Sequence, residues 1–190
     1  MKSLKEIEKY ASENYVPIIR KDNINYLKDF IQSKKLYNIL ELGTAIGYSA
    51  IQMSSVSENV RITTIERDKA MYDLALENIK DMGKENQINV IYNDIFNVEL
   101  EEKYDLIFID AAKAQYIKFF NKFEGNLKVD GYIISDNLEL LDLQRLTQSK
   151  KSKRLVEKMN EYKQFLDSLE EYETEYLNIG DGFAITSRKK

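Results

Sequence analysis

The chain of 190 residues contains no cysteine and no histidine, and these two absences exclude more chemistry than any other feature of its composition. Without histidine there is no Ser-His-Asp or Cys-His machinery, no imidazole proton shuttle at neutral pH and no His-ligated zinc. Without cysteine there is no disulfide, no iron–sulfur cluster and no thiol nucleophile. Catalysis must rest on Lys, Tyr, carboxylates or a bound cation, and a metal must take oxygen ligands, which favours Mg²⁺, Mn²⁺ or Ca²⁺. Proline occurs once and glycine seven times, and no repeat, low-complexity segment or linker divides the chain. One domain over residues 1–190 is expected, long enough to bury roughly 70% of its unfolded surface in a single core. Long apolar runs are also missing, since none approaches the ~20 residues of a membrane helix. The start, "MKSLKEIEKYASENY", carries charges at helical spacing and lacks an apolar h-region. The expectation is therefore no signal peptide, no membrane attachment and a cytoplasmic location. A net charge of −4 argues against a general nucleic-acid coat but permits a local basic patch.

What the chain does contain is an alternation of short β-branched runs with longer amphipathic ones. Strands are predicted at "YNILEL" (37–42), "VRITTIE" (60–66), "INVIYN" (88–93), "YDLIFID" (104–110), "GYIISD" (131–136), "YETEYLNI" (172–179) and "GFAITSR" (182–188). Helical periodicity fills the gaps at 48–56, 69–82, 114–123 and 149–169. Such alternation predicts an α/β fold, a mostly parallel sheet with helices on both faces. Only the last two strands leave no room for a helix between them, so that pair should be antiparallel. A helical arm at 3–33, interrupted near Pro17, precedes the alternating unit and divides the chain into an arm (1–35) and a core (36–190).

Ligands of such sheets bind beyond the carboxyl ends of the strands, where strand order reverses. Five strand ends can be taken together here. The first runs into "ELGTAIGYS", where Glu41 closes the strand, Gly43 and Gly47 let the backbone approach a ligand, and a helix opens near Tyr48. The second ends on Glu66, about where an acid binds the hydroxyls of a ribose. Asn93 and Asp94 follow the third, Asp110 ends the fourth, and Asp136 and Asn137 end the fifth. Singly, each has an ordinary role: an unremarked glycine turn, a solvated strand end at Glu66, a turn or helix N-cap at Asp94 and turn residues at 136–137. As a spaced set they exceed what a scaffold needs and point to a nucleotide-type cofactor. Thr44, Ala45 and Ile46 separate the glycines, a departure from G-x-G-x-x-G that disfavours a nicotinamide dinucleotide and suits a cofactor without a pyrophosphate. S-adenosyl-L-methionine fits, with Glu66 on its ribose and Asp94 near its adenine amino group. Asp110, Asp136 and Asn137 are oxygen donors on strand ends, suited to a hard cation with positions open for water and substrate. Lys113, a short turn beyond Asp110 in "DLIFIDAAKAQY", would face the same pocket as a general base. Its ordinary alternative is a solvated residue opening a helix, where the dipole makes lysine a poor choice.

The stretches "ILELGTAIGYSAI", "YDLIFIDAAKAQY" and "ISDN" resemble the cation-dependent, S-adenosylmethionine-dependent O-methyltransferases related to catechol and caffeoyl-coenzyme A O-methyltransferases. The resemblance implies a Rossmann-like class I methyltransferase fold, with a seven-stranded, mostly parallel sheet and an antiparallel last strand, usually dimeric. It implies Mg²⁺ or Mn²⁺ on Asp110, Asp136 and Asn137, and Lys113 as the base. It also implies a cofactor site made by Glu41, Gly43, Thr44, Gly47 and Ser49 with Glu66, Asp94 and Asp110. More narrowly, "YASENYVPII", "RLVEKMNEYKQFL" and "IGDGFAITSRKK" are similar to bacterial tRNA 5-hydroxyuridine methyltransferases, which implies tRNA as partner and the 5-hydroxyl of a wobble uridine as acceptor. The alternative acceptor is a small catechol or caffeoyl-type vicinal diol. Two departures stand out: "SDN" continues into "LELLDLQRLTQSKKSKR" without glycine, and Ala112 replaces the acid that small-molecule members usually carry before the lysine. The second favours the tRNA branch. So does the basic run Lys150, Lys151, Lys153 and Arg154, joined by Arg145 and the terminal Arg188, Lys189 and Lys190, unless it is a solvated helix face. A dinucleotide-dependent oxidoreductase is disfavoured by the glycine spacing, and a non-catalytic binding module would need neither Lys113 nor a metal trio. Tyr10, Tyr15 and Tyr116 are expected near the pocket.

Overall fold

Seven strands pair into one sheet in a computed structural model that describes residues 3–138 and 150–190, the Lys151 side chain excepted. They are β1 (Asn38–Leu42), β2 (Arg61–Glu66), β3 (Ile88–Tyr92), β4 (Tyr104–Ile109), β5 (Leu127–Asp136), β6 (Tyr172–Leu177) and β7 (Phe183–Arg188). Their order is β3-β2-β1-β4-β5-β7-β6. β7 runs antiparallel to β5 and β6, and the other pairs are parallel. This is the expected seven-stranded sheet with an antiparallel last strand. β4 reads as an unbroken apolar run because Leu106, Ile107, Phe108 and Ile109 are buried on both faces of the sheet.

Among the described residues, α1 (Leu4–Glu13), α2 (Lys21–Lys34), α3 (Tyr48–Ser54) and α4 (Lys69–Asp81) cover one face, packed on Ile39, Ile62, Phe108 and Ile134. α5 (Tyr116–Phe123) and α6 (Lys150–Asp167) cover the other, packed on Leu40, Leu42, Ile107 and Ile133. Local chemistry sets several helix starts. Ser3 and Glu6 form a reciprocal capping box on α1, and Asp68 accepts from Ala70 N and Met71 N to cap α4. α5 buries Tyr116, Phe119, Phe120 and Phe123, a single stripe at helical spacing. No helix among the described residues is long and apolar enough to cross a membrane.

Two expectations need correction. β5 begins at Leu127 rather than residue 131: the polar approach to Gly131 reads as a turn, yet the strand continues through it. A Cβ on Gly131 would lie 3.0 Å from the Asp105 carbonyl oxygen, so glycine serves close packing there. α3 ends at Ser54, two residues short of its predicted end, and every one of its residues is buried, which removes the amphipathic signal that marks a boundary. The N-terminal arm packs into the same core. Ile24, Leu27 and Ile31 of α2 are fully buried in the same core as the sheet, with the break falling around Pro17 as expected.

The chain leaves β1 toward β2 and β3, then returns on the other side to β4 and β5. Strand order therefore reverses between the carboxyl ends of β1 and β4, where Asp110 N donates to Leu42 O at 3.1 Å.

Candidate active site

At this reversal the β1–α3 loop turns through three positive-φ residues, Gly43 (104°), Ala45 (46°) and Gly47 (80°). A side chain on Gly43 would run into the Asp110 carbonyl oxygen, so the close approach of the two strand ends requires glycine. The Ala45 N–H donates to Glu66 Oε2 at 2.8 Å, while Glu66 Oε1 accepts from Arg67 N at 2.9 Å and Asp68 N at 2.8 Å. Glu66 is thus fixed at the end of β2 by three backbone N–H groups.

Beneath the loop, Ser49 Oγ donates to Glu41 Oε1 at 2.5 Å, Thr64 Oγ1 donates to Glu41 Oε2 at 2.6 Å, and the Thr44 and Thr64 hydroxyls bond at 2.6 Å. Burial pushes the Glu41 carboxyl up to about 8, the Ser49 and Thr64 bonds offset part of that rise, and the Asp110 and Glu66 charges add to it. Glu41 braces the loop from within and does not reach the cleft, whereas Thr44 and Ser49 line it. Gly47 opens α3 against Ala75 and also stays out of the lining.

The cleft has two lobes that share Gly43, Ala45, Asp110 and Ala111. The first, about 240 Å³, brings together Asp110, Lys113, Asp136, Asn137 and Asp181 under a wall made by residues 17–20. The second, about 280 Å³, is lined by Glu66, Asp94, Phe96, Gln115 and Phe119, with the Phe96 and Phe119 rings stacked at 5.1 Å. Asp94 also fills its ordinary role, accepting from Phe96 N at 2.9 Å and pairing with Arg67 at 3.4 Å.

Electrostatics in the first lobe are unbalanced. Burial raises the Asp136 carboxyl, the Asp110 charge raises it further, and bonds from Asn137 N and Asn23 with the Lys113 charge pull it back. Enclosure likewise raises Asp110, opposed by Lys113 and aggravated by Asp181, although its cavity side stays partly open to solvent. Among the described residues no three carboxylates gather as a cation site. The donor set is two carboxylates and the Asn137 amide, all oxygen, with repulsion that a divalent cation would relieve, so these residues fit a hard cation.

The sequence did not single out Arg20, Asp181 or Asn23. Arg20 pairs with Asp181 at 3.1 Å across the mouth of the first lobe. The only local signals were the neighbouring Pro17 and the Gly-Asp-Gly turn at 180–182. Of the three tyrosines expected near the pocket, Tyr116 is buried there and donates to Asp136 O at 3.2 Å. Tyr10 and Tyr15 line neither lobe. Lys150, Lys153 and Arg154 are exposed at the start of α6, while Arg145 and the Lys151 side chain lie outside the described residues.

A model of the O-methyltransferase family matches residues 1–189. The chain is 36% identical over 149 residues to tapetum-specific methyltransferase 1 of Arabidopsis thaliana, a match covering 72% of this chain and 62% of that protein. The match thus spans less than two thirds of that relative's own length. The crystal structure of a candidate caffeoyl-CoA O-methyltransferase from Staphylococcus aureus superposes with a TM-score of 0.90 at 36% identity, covering 100% of this chain and 93% of that one. An O-methyltransferase from Bacillus cereus in complex with SAH shares the fold, with a TM-score of 0.82 at 22% identity over 100% and 92% of the two chains.

Proposed function

The chain belongs to the O-methyltransferase family, and from that premise we propose that it moves the methyl group of S-adenosyl-L-methionine onto a hydroxyl flanked by a second oxygen, with Mg²⁺ or Mn²⁺ at the strand ends. The observation that carries this reading is the junction of the two lobes at Asp110, with a fixed acid, Glu66, in one, and in the other Asp110, Asp136, the Asn137 amide and Lys113 beside the Arg20-paired Asp181. The cofactor would supply an electrophilic methyl on a positive sulfur; Glu66 would hold its ribose, and Asp94 and Phe96 would face its adenine. A cation held by Asp110, Asp136 and Asn137 would supply chelation of two neighbouring oxygens and easier ionisation of the hydroxyl. Lys113 would take the hydroxyl proton on its Nζ as the new O–C bond forms and the S–C bond to the methyl group breaks, which leaves the cofactor as its neutral thioether. Gly43 keeps the strand ends close enough for both lobes to open on one point, and the wall at residues 17–20 limits water. The rate gain comes mainly from positioning and charge stabilisation.

A small vicinal diol of catechol or caffeoyl type suits a lobe of about 240 Å³ and agrees with the name of the Staphylococcus aureus relative. A second reading, the 5-hydroxyl of 5-hydroxyuridine at the tRNA wobble position with its neighbouring O4, is favoured by one observation. Lys150, Lys153 and Arg154 stand exposed together where a helix begins, a placement the dipole opposes and RNA phosphates would reward.

The test offers methyl-labelled cofactor with a catechol, a monohydroxy analogue or tRNA carrying 5-hydroxyuridine, in Mn²⁺ or in EDTA. Transfer to a vicinal-oxygen acceptor only with cation is expected, and Lys113→Ala should lower it by about 10²–10⁴-fold. Undiminished transfer in excess EDTA removes the cation from the reaction. Replacing Lys150, Lys153 and Arg154 by Ala separates the acceptors: with tRNA as substrate each lost phosphate contact lowers the log–log salt slope by roughly 0.7–0.9, while diol turnover stays constant.

A further inference from the structure

Asn23 lies in the first turn of α2, completely buried beside Ile24 and Leu27. Its Nδ2 donates to Asp136 Oδ1 at 2.7 Å across a sequence separation of 113 residues. The Asn137 N–H donates to the same oxygen, also at 2.7 Å. Both bonds therefore converge on Oδ1, and among the described residues Oδ2 accepts none, which leaves it for the lobe that Asp136 lines with Asp110 and Asn137. The other end of the amide is unsatisfied: Asn23 Oδ1 is buried without a hydrogen-bond partner. It occupies the space a side chain on Gly180 would need, at a residue with φ of 55° between β6 and β7.

A buried carbonyl with no partner is destabilising, and an apolar side chain of similar size would fill this position without that penalty. Core packing alone therefore gives no reason for asparagine here. A carboxylate that ligates a cation is ionised and only accepts hydrogen bonds, so the amide nitrogen faces Asp136 and the oxygen is turned toward Gly180. We propose that Asn23 is a positioning residue for cation-dependent methyl transfer: by fixing Oδ1 of Asp136 it turns Oδ2 toward the cation. Gly180 follows from the same arrangement, since only glycine leaves room for the amide. The inference rests on the cation reading above and extends the site into the N-terminal helical arm, which carries none of the predicted ligands.

The test is a Mn²⁺ titration of the full chain with SAH present, following free Mn²⁺ by electron paramagnetic resonance, for wild type, Asn23→Leu and Asn23→Ser. The leucine removes the donor and the orphaned oxygen together, and the serine is polar but shorter. Both variants should weaken Mn²⁺ binding by about 10–100-fold, the usual effect of losing a hydrogen-bond partner of a metal ligand. SAH affinity without metal should match wild type, and the thermal midpoint of metal-free Asn23→Leu should be unchanged or raised. Wild-type Mn²⁺ affinity in both variants overturns the inference alone. So does a fall of midpoint and SAH affinity in step with Mn²⁺ affinity in both, which would make Asn23 structural. A wild-type chain that binds SAH but no Mn²⁺ overturns the cation reading and this inference with it.

Discussion

Glu41→Gln tests whether the carboxyl beneath the β1–α3 loop is as isolated from water as its surroundings indicate. Its carboxyl is raised from an ordinary 4.5 to about 8, chiefly by burial. The folded chain therefore holds this proton more tightly than the unfolded chain does. Its contribution to stability is fully present below about pH 4.5 and is lost as pH rises through about 8, since over that window the unfolded state binds fewer protons. A shift of ~3.5 units at ~1.4 kcal/mol each sets a ceiling of about 5 kcal/mol on the loss. Glutamine does not titrate, and its amide can accept from one of the Ser49 and Thr64 hydroxyls while donating to the other. At about pH 5 the variant should thus lie within about 1 kcal/mol of wild type. Asp110 and Asp136 titrate in both proteins, so the difference between the two stability curves reports Glu41 together with its coupling to Asp110. The assay is urea unfolding at intervals from about pH 5 to about pH 9 without metal. Wild type should lose stability against Glu41→Gln by several kcal/mol across that range. Parallel curves would mean that the carboxyl ionises near its ordinary value and that the loop is wet beneath.

Two further substitutions probe the cofactor side. Gly43→Ala forces a side chain into the Asp110 carbonyl at a φ of 104°; it should lower stability by about 1–3 kcal/mol and abolish SAH binding in calorimetry. Affinity close to wild type would show that the ends of β1 and β4 have room to part. Glu66→Ala should weaken SAH binding by about 1.5–3 kcal/mol, the range for hydrogen bonds to a charged acceptor, and unchanged affinity would put the ribose elsewhere.

The alternation of strands and helices was legible because strands buried on both faces show as continuous β-branched runs. The strand ends were legible because Asp110, Asp136 and Asn137 interrupt those runs with polar side chains. Glu41 was placed at the cleft, yet strand parity already assigned it otherwise: in β1 it shares a face with Ile39, under the helix layer, while Leu40 and Leu42 face the other core. Asp94 combined two roles that single-residue reasoning sets against each other, capping a turn and lining a lobe. Asn23 and the Arg20–Asp181 pair left no trace in any local pattern. Each depends on a contact between the N-terminal arm and segments more than 100 positions away, and periodicity reports which face a residue takes, not which distant residue it meets.

That division has a physical origin in where the site stands on the fold. The sheet fixes Gly43, Glu66, Asp110 and Asp136 to within a residue of a strand end, because Glu66 and Asp136 belong to ladders with a defined register and Gly43 and Asp110 directly follow the laddered ends of β1 and β4. The other wall of the first lobe comes from elsewhere, from residues 17–20 between two helices and from the turn at Asp181. These segments carry no ladder, although Ile19 is buried in the core and Ile18 packs against it. On the proposed reading, methyl-transfer machinery and acceptor choice would be set by different parts of the chain. The Asn23–Asp136 bond is where they touch, since it ties the helix that follows the wall to the strand end that would hold the cation. A change of acceptor that repacks residues 17–20 has to preserve the register of α2 against β5. Acceptor-specific variation should accordingly concentrate on the Pro17 side of Arg20 and leave the first turn of α2 alone.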